Sequence, residues 1–391
     1  MQQVTERKTC RLCGSDKLES VLHLGELAMS DFLDTPDSPV TTAPLELVEC
    51  KECTLVQLRH TAPMEKMYRN YWYRSKISPV ICNDLREIAT VAVKLANAGD
   101  GDIFLDIGCN DGSMFPAVPQ GIICVGCEPA QNLKDDYEKH CKYSIPDYWS
   151  AEAYAKLGIP KAKVITAIGC FYDMEDPNQF VGDVKKCLAE DGVFVAQLMT
   201  LLPMLKKNDV GNIVHEHLEY YTYQSLVRLY EQNGLEIFKV EQNDINGGSY
   251  RLFAKHFKKG SRKVKEAIDL PRFVERIEKN KKQTVDFIRK QVAKGRKVYG
   301  FGASTKASTI LQWYGLTNQD IVGIADKNIE KIGKYTVGTK IKIVSEDEAR
   351  KDADYFFILP YAFAKHFIKN EAEWHRAGGL FILSTPKFRV I

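Results

Sequence analysis

One stretch restricts this chain more than any other: Phe104-Leu105-Asp106-Ile107-Gly108-Cys109-Asn110-Asp111-Gly112, an apolar run that ends in an acid and a double-glycine turn. Residues 103–105 predict a short buried strand. Gly108 and Gly112 predict a turn whose backbone passes close to a ligand, because glycine has no Cβ to stand in the way. About twenty residues on, a second apolar run, 122–127, leads into Glu128, and an acid at the end of that strand is placed to accept hydrogen bonds from ribose hydroxyls. Strand, glycine turn, helix and acid-capped strand predict a nucleoside-binding half of a doubly wound α/β sheet.

A chain of 391 residues exceeds one ordinary domain, so roughly two or three are expected. A formal net charge of +3 offers no strongly basic face and argues against nucleic acid as a partner. No apolar run is long enough to cross a bilayer, and the polar, charged residues 1–9 predict no secretory leader. Eleven scattered cysteines suit a reducing compartment better than a disulfide framework, so a cytoplasmic protein is expected.

Four of those cysteines form two identical spacings, Cys10-x-x-Cys13 and Cys50-x-x-Cys53. Two such knuckles bring four thiolates within reach of one tetrahedral Zn2+ and leave no open position, which predicts a structural site. Four buried free cysteines are the bland alternative. A redox role fits worse, because neither pair opens a helix in a thioredoxin-like unit. The segment carrying them, 1–66, reads as a zinc-binding domain.

Residues 67–257 read as a second domain built on the glycine turn. It opens on an aromatic and basic cluster, 67–75, in which most side chains suit packing between domains while Tyr71 and Tyr73 are candidates for facing a substrate. A helix is expected over 82–97, then strands over 164–168 and 192–198 around a helix at 178–188, a helix over 223–233, and strands over 235–240 and 249–254. Between them lies His215-Glu216-His217. Imidazole, titrating near neutrality, suits removal of a proton from a carbon beside a carbonyl. A structural loop and a metal-holding loop remain open readings of the same three residues; the spacing excludes the zinc-protease motif.

Residues 258–391 read as a third domain, reached through a charged helix over 258–294. A strand enters Gly300-Phe301-Gly302-Ala303-Ser304-Thr305-Lys306 and a helix over 304–314 follows. Backbone amides at that helix start, with Ser304, Thr305 and Lys306, suit a phosphate or diphosphate. Strands over 321–325, ending at Asp326, and over 355–359 complete a second nucleotide-type fold.

The first turn lacks the spaced glycines of the dinucleotide fingerprint and resembles the first motif of S-adenosylmethionine-dependent methyltransferases. Taken whole, the chain resembles the bacterial nucleotide-linked deoxysugar C-methyltransferases. The resemblance rests on the Cys-x-x-Cys pair, a Tyr-x-Tyr-Arg-Ser cluster at 71–75, Asp-Ile-Gly-x-Asn-Asp-Gly at 106–112, Glu-Pro-Ala-x-Asn at 128–132, His-Glu-His, Gly-Gly-Ser-x-Arg ending at Arg251, and Gly-Ala-Ser-Thr-Lys ending at Lys306. It implies a Rossmann-like methyltransferase domain between a zinc-binding domain and a C-terminal α/β domain that supports the sugar's nucleotide. It implies that S-adenosylmethionine binds along Asp106, Gly108, Asn110, Asp111, Gly112, Glu128 and Pro129. It also implies that His217 is the general base, with Glu216 and His215 beside it, and that Arg251 belongs to the acceptor side. Three departures from the family pattern, Val214, Gln197 and the stretch Ile168-Gly169-Cys170-Phe171-Tyr172, imply an altered acceptor: a different sugar, a different carbon or oxygen, or a non-sugar. Two rival classes stand beside this reading, a nicotinamide-dependent oxidoreductase or epimerase using the C-terminal glycine turn, and a non-catalytic nucleotide-binding regulator.

Overall fold

The strand Ile103–Ile107 is buried along its whole length and lies in the interior of a seven-stranded sheet in a computed structural model that describes residues 4–391. It pairs in parallel with Ile123–Cys127 on one side and Ala162–Ile168 on the other. Ranked by sequence, the sheet runs 3-2-1-4-5-7-6, with Ser249–His256 antiparallel to Leu188–Met199. The order reverses between Ile103–Ile107 and Ala162–Ile168, so a crevice opens beyond their carboxyl ends.

Both faces of the sheet are covered, which is why its central strands read as continuous apolar runs rather than alternating ones. Helix Pro79–Ala96 packs Ile88, Ala89 and Ala92 against Phe104, Val195 and Phe253. The Ser78 hydroxyl caps its start and Asn97, in the left-handed region, ends it. Helices Pro177–Cys187 and Tyr223–Gln232 cover the opposite face, with Phe180, Val184, Leu226 and Tyr230 against Leu105 and Phe194. The helix expected after the glycine turn does not form. Only the 3-10 turn Phe115–Ala117 follows, because Pro116 and Pro119 remove backbone donors where a helix would propagate.

The C-terminal sheet runs 3-2-1-4-5-6 by sequence rank, parallel but for its last strand, Arg389–Val390. Its approach helix starts at Leu270, not at 258. The amides of Lys258, Lys259 and Gly260 all donate to Glu236 Oε2, at 2.8, 2.6 and 2.8 Å, and a chain turned around one carboxylate cannot begin a helix there.

The three segments share their cores. Cys10, Leu12 and Leu55 join one apolar cluster with Phe171, Tyr221 and Leu226. Leu45, Leu47 and Val56 join another with Ile213, Leu218, Ile310 and Trp313. Strand Phe32–Leu33 pairs with Tyr335–Thr336 across the chain. The N-terminal sheet of Leu18–Ala28, Thr42–Cys50 and Val56–Leu58 takes its edge strand, Glu219–Tyr220, from the residues just after His217.

The two knuckles form the expected cluster. Sγ of Cys10 lies 3.5 Å from that of Cys53, Sγ of Cys13 lies 3.6 Å from that of Cys50, and all four lie within 4.8 Å of one another. Tetrahedral zinc with Zn–S bonds of about 2.3 Å needs sulfurs about 3.8 Å apart, so the set fits the metal. Each knuckle closes through an amide that donates to the first cysteine's carbonyl, Gly14 to Cys10 at 2.9 Å and Thr54 to Cys50 at 2.7 Å. Thr54 holds a φ of +61°, a conformation that costs a β-branched residue about 1–3 kcal/mol and is held by its surroundings. A Cys50→Ser variant is expected to purify without zinc, and hydrogen exchange should quicken at Tyr220 and Val56 as well as in the knuckles. Full protection of Tyr220 in the zinc-free protein would show that the metal does not support that strand.

Candidate active site

A cavity of about 860 Å³ opens beyond the carboxyl ends of Ile103–Ile107 and Ala162–Ile168 and is lined by all three segments. On the methyltransferase side it meets Asp106, Gly108, Asn110, Glu128 and Pro129. Gly108 has a φ of +70°, and a Cβ there would lie 2.9 Å from Cys170 Sγ; Gly112 has a φ of +75°, and its Cβ would lie 3.0 Å from Tyr137 Cα. Only glycine fits either place. Glu128 Oε2 accepts from the Asn110 amide at 2.9 Å and Oε1 from the Ala130 amide at 3.0 Å, so each oxygen has a lone pair left for a ligand hydroxyl. Burial pushes its carboxyl up. Asp106 accepts from the Thr166 hydroxyl at 2.6 Å and is pushed to about 7 by burial.

Asp111 and Gly112 stand behind the turn, outside the cavity lining. Asp111 accepts from the Lys76 amide at 2.9 Å, and Asn110 accepts from the Ser75 amide at 2.9 Å while donating to the Tyr73 carbonyl at 3.0 Å. Asn132 brackets Tyr71 in the same way, accepting from its amide and donating to its carbonyl, both at 3.0 Å. These contacts hold the aromatic segment over the turn, and Tyr71 and Tyr73 line the cavity. The turn itself presents two carboxyls and no cation. A diphosphate would be repelled there, whereas a nucleoside bearing a sulfonium is attracted, so the residues fit S-adenosylmethionine.

The facing wall is the loop that carries His217. Nδ1 of His217 lies 2.8 Å from the Asn212 carbonyl; a carbonyl only accepts, so Nδ1 carries the hydrogen and Nε2 keeps a free lone pair. Burial, followed by the charge of Lys306, lowers the imidazole to about 3. Its ring meets Tyr172 edge-on with centroids 4.5 Å apart. Glu216 also lines the cavity; its Oε2 is buried without a partner, and burial pushes it to about 7. The Tyr68 hydroxyl donates to the Glu216 carbonyl at 3.0 Å.

Besides Asp111 and Gly112, two more of the expected site residues, His215 and Arg251, do not line this cavity. His215 turns the other way, its Nε2 donating to the Ala43 carbonyl at 3.0 Å, and ties the loop to the N-terminal sheet. Arg251 is buried behind the wall, paired with Asp84 at 2.8 Å and donating to Gln197 Oε1 at 3.0 Å; its guanidinium completes an internal network. Ser304, Thr305 and Lys306 do line the cavity. Ser304 caps its helix through a 3.2 Å bond from the Ala307 amide. Lys306 turns inward to Asn212 Oδ1 and, at 3.3 Å, Met199 Sδ, and burial lowers its pKa. The same Asn212 therefore anchors both the imidazole and this lysine.

Sequence reasoning missed Tyr68, Asp173 and Asn212. Asp173 follows closely on the strand Ala162–Ile168, where the carboxyl-end rule for open sheets directs attention. Asn212 has no such signal, since only the folded loop brings its carbonyl to His217.

Family profiles divide the chain in the same order as these sheets. One described as a zinc binding domain matches residues 10–68, one described as a methyltransferase domain 73–240, and one described as a C-methyltransferase C-terminal domain 244–386. The chain is 30% identical to C-methyltransferase NovU of Streptomyces niveus over 98% of its own length and 96% of that protein. This chain belongs to the C-methyltransferase family. The enzyme is an S-adenosylmethionine-dependent C-methyltransferase with a zinc-binding domain at its N-terminal end. Solved structures overlap it in part: an S-adenosylmethionine-dependent methyltransferase from Clostridium acetobutylicum at 12% identity and a TM-score of 0.37, covering 45% of this chain and 92% of that one, and magnesium protoporphyrin IX methyltransferase from Synechocystis at 11% and 0.35, covering 50% and 89%. Among the described residues no helix is long and apolar enough to cross a membrane.

Two measurements check this geometry. Glu128→Ala should weaken S-adenosylhomocysteine binding by about 10-fold or more in calorimetric titration, the loss of one or two charge-assisted hydrogen bonds; unchanged affinity would place the ribose elsewhere. Glu216 titrates near 4.5 in the unfolded chain and about 7 in the folded enzyme, so its contribution is fully present below the lower value and lost as pH rises through the higher. Glu216→Gln should therefore raise Tm at about pH 8 by an amount corresponding to roughly 3 kcal/mol at most, and leave Tm near pH 4 unchanged.

Proposed function

We propose that this enzyme methylates the carbon beside a ketone in a nucleoside-diphosphate-linked deoxysugar. The observation that carries the reading is His217, anchored through Nδ1 and presenting a free Nε2 to a cavity with the donor turn on one wall and the start of helix Thr305–Tyr314 on another.

The two nucleotide-type turns differ in charge as two different ligands would require. Ala303, Ser304 and Thr305 begin the C-terminal helix with Lys306 nearby and Lys331 Nζ donating to the Ala303 carbonyl at 2.9 Å, a setting for a diphosphate. Asp326 stands at the end of the second strand of that sheet and holds the Ala303 and Asn328 amides at 2.8 Å each, as Glu128 does in the methyltransferase sheet. Of the departures from the family pattern, Gln197 and, within the 168–172 stretch, Ile168, Gly169, Cys170 and Tyr172 line the cavity, whereas Phe171 and Val214 are packed outside it, so a changed acceptor would be read by Gln197 and that stretch.

Bound S-adenosylmethionine supplies an electrophilic methyl group on a sulfonium. His217 Nε2 takes the proton from the α-carbon, and negative charge growing on the acceptor favours the imidazolium that forms. Tyr68 and Asn212 hold the loop, Glu216 and the tyrosines of the aromatic segment meet sugar hydroxyls, and closure of that segment over the turn keeps water from the carbanion.

Incubation with a nucleoside-diphosphate-4-keto-6-deoxyhexose in deuterated water should exchange the hydrogen on the carbon beside the ketone, and His217→Ala should slow exchange by about 100-fold or more. With His217 as base the rate stays level between about pH 5 and pH 8, since the imidazole is already neutral. A rate that instead climbs through about pH 7 and levels in Glu216→Gln would transfer the role to Glu216.

A further inference from the structure

The wall between the strand Ala162–Ile168 and the His217 loop holds a carboxyl that the steps above leave unused. Asp173 lines the cavity, is 8% exposed, and has an Oδ1 buried without a hydrogen-bond partner. The residue before it is fixed to the catalytic loop: the Tyr172 carbonyl accepts from the Leu218 and Glu219 amides at 2.8 and 3.1 Å, and the Tyr172 ring packs on His217. We propose that Asp173 keeps its proton in the working enzyme and donates it, as a hydrogen bond, to the acceptor's carbonyl oxygen as that oxygen becomes an enolate. The proposal rests on the reading of the acceptor as a ketone.

The charges that act on Asp173 are the carboxylates of Glu216 and Glu219, and the groups on which Asp173 acts in turn are all acids. Glu216 comes from the loop, Glu219 and Tyr220 from its edge strand, Tyr68 and Tyr71 from the aromatic segment, and Tyr172 and Cys170 from its own turn. Cations around the site are engaged elsewhere: Arg7 and Arg11 with Glu175 at 2.8 and 3.2 Å, Arg11 also beside Glu219 at 3.8 Å, Lys306 on Asn212, and Lys66 on the Thr41 hydroxyl at 2.8 Å. Two neighbouring carboxyls in such a place do not both ionise near neutrality. Burial and Glu216 push Asp173 well above the usual carboxylate range, which favours its neutral form. A carboxylic acid held neutral is a hydrogen-bond donor where a carboxylate can only accept.

The step balances. The α-carbon–hydrogen bond breaks and its proton goes to His217 Nε2; the enolate carbon bonds to the methyl as the methyl–sulfur bond breaks, its electron pair returning to sulfur. The enolate oxygen reverts to a carbonyl, and Asp173 retains its proton throughout.

The test compares Asp173→Ala and Asp173→Asn, each first confirmed by thermal melting and S-adenosylhomocysteine binding. In exchange of the nucleoside-diphosphate-4-keto-6-deoxyhexose, Asp173→Ala should lose about 100-fold in kcat with little change in KM. The wild-type rate should fall at alkaline pH as Asp173 ionises, and Asp173→Asn, which keeps a donor, should retain most of the rate and lose that fall. Infrared difference spectra of the S-adenosylhomocysteine complex at neutral pH, wild type against Asp173→Asn, should show the band of a neutral carboxylic acid. Full activity in Asp173→Ala, an Asp173→Asn variant as slow as Asp173→Ala, or absence of that band would overturn the proposal. If the wild type exchanges no keto-sugar at all, the ketone reading fails instead, and the infrared band still reports where the proton resides.

Discussion

Two residues of β-pairing, Glu219 opposite Gln57 and Tyr220 opposite Val56, hold the His217 loop and the sheet of the cysteine knuckles in one register. Arg11, between the first two cysteines, secures that seam: its guanidinium donates to Gln57 Oε1 at 3.2 Å and to the Thr61 hydroxyl at 2.8 Å, and lies beside Glu219. A guanidinium with no side-chain exposure persists only because every direction it faces offers an acceptor, and removing one partner from such a pair typically costs about 3–5 kcal/mol. From Glu219 the restraint passes through the Tyr172 carbonyl to the ring that packs on His217. The cysteine knuckles and the His217 loop are thus joined through one strand, whose register a bound zinc would support.

Two sheets of the same doubly wound type meet at the cavity, and their turns are lined by different side chains. The methyltransferase turn is ringed by acids, the C-terminal turn has lysines at hand, and in both an acid at the end of the next strand secures backbone amides of the turn. The fold supplies the crevice; the side chains decide whether it suits a cation or an anion.

Much of this was legible in order of residues alone. The apolar run into Asp106 and Gly108, the acid at 128 and the paired cysteines each point to a local structure that needs few distant partners, and each was found where expected. What escaped depended on long-range contact. Nothing in Glu219-Tyr220 announces an edge strand whose partner lies more than 150 positions earlier. His215 and His217 look alike on paper, and only the path of the loop turns one to the Ala43 carbonyl and the other to the cavity. Arg251 reads as a substrate clamp until Asp84 and Gln197 are seen to enclose it. The helix anticipated after Gly112 was contradicted by two prolines that were visible from the start and were outweighed by the analogy of the nucleotide fold.

The intermingled cores bear on how such an enzyme can change by recombination. Ile310 and Trp313 of the last segment pack in one cluster with Leu45 and Val56 of the first and Ile213 of the second, while Gln312 exchanges two hydrogen bonds with the Ala28 backbone. A chimera that imported only a foreign C-terminal third would leave unmatched apolar surface on both remaining parts. New acceptor preferences in this architecture are therefore more accessible through point changes around the cavity than through the shuffling of whole modules.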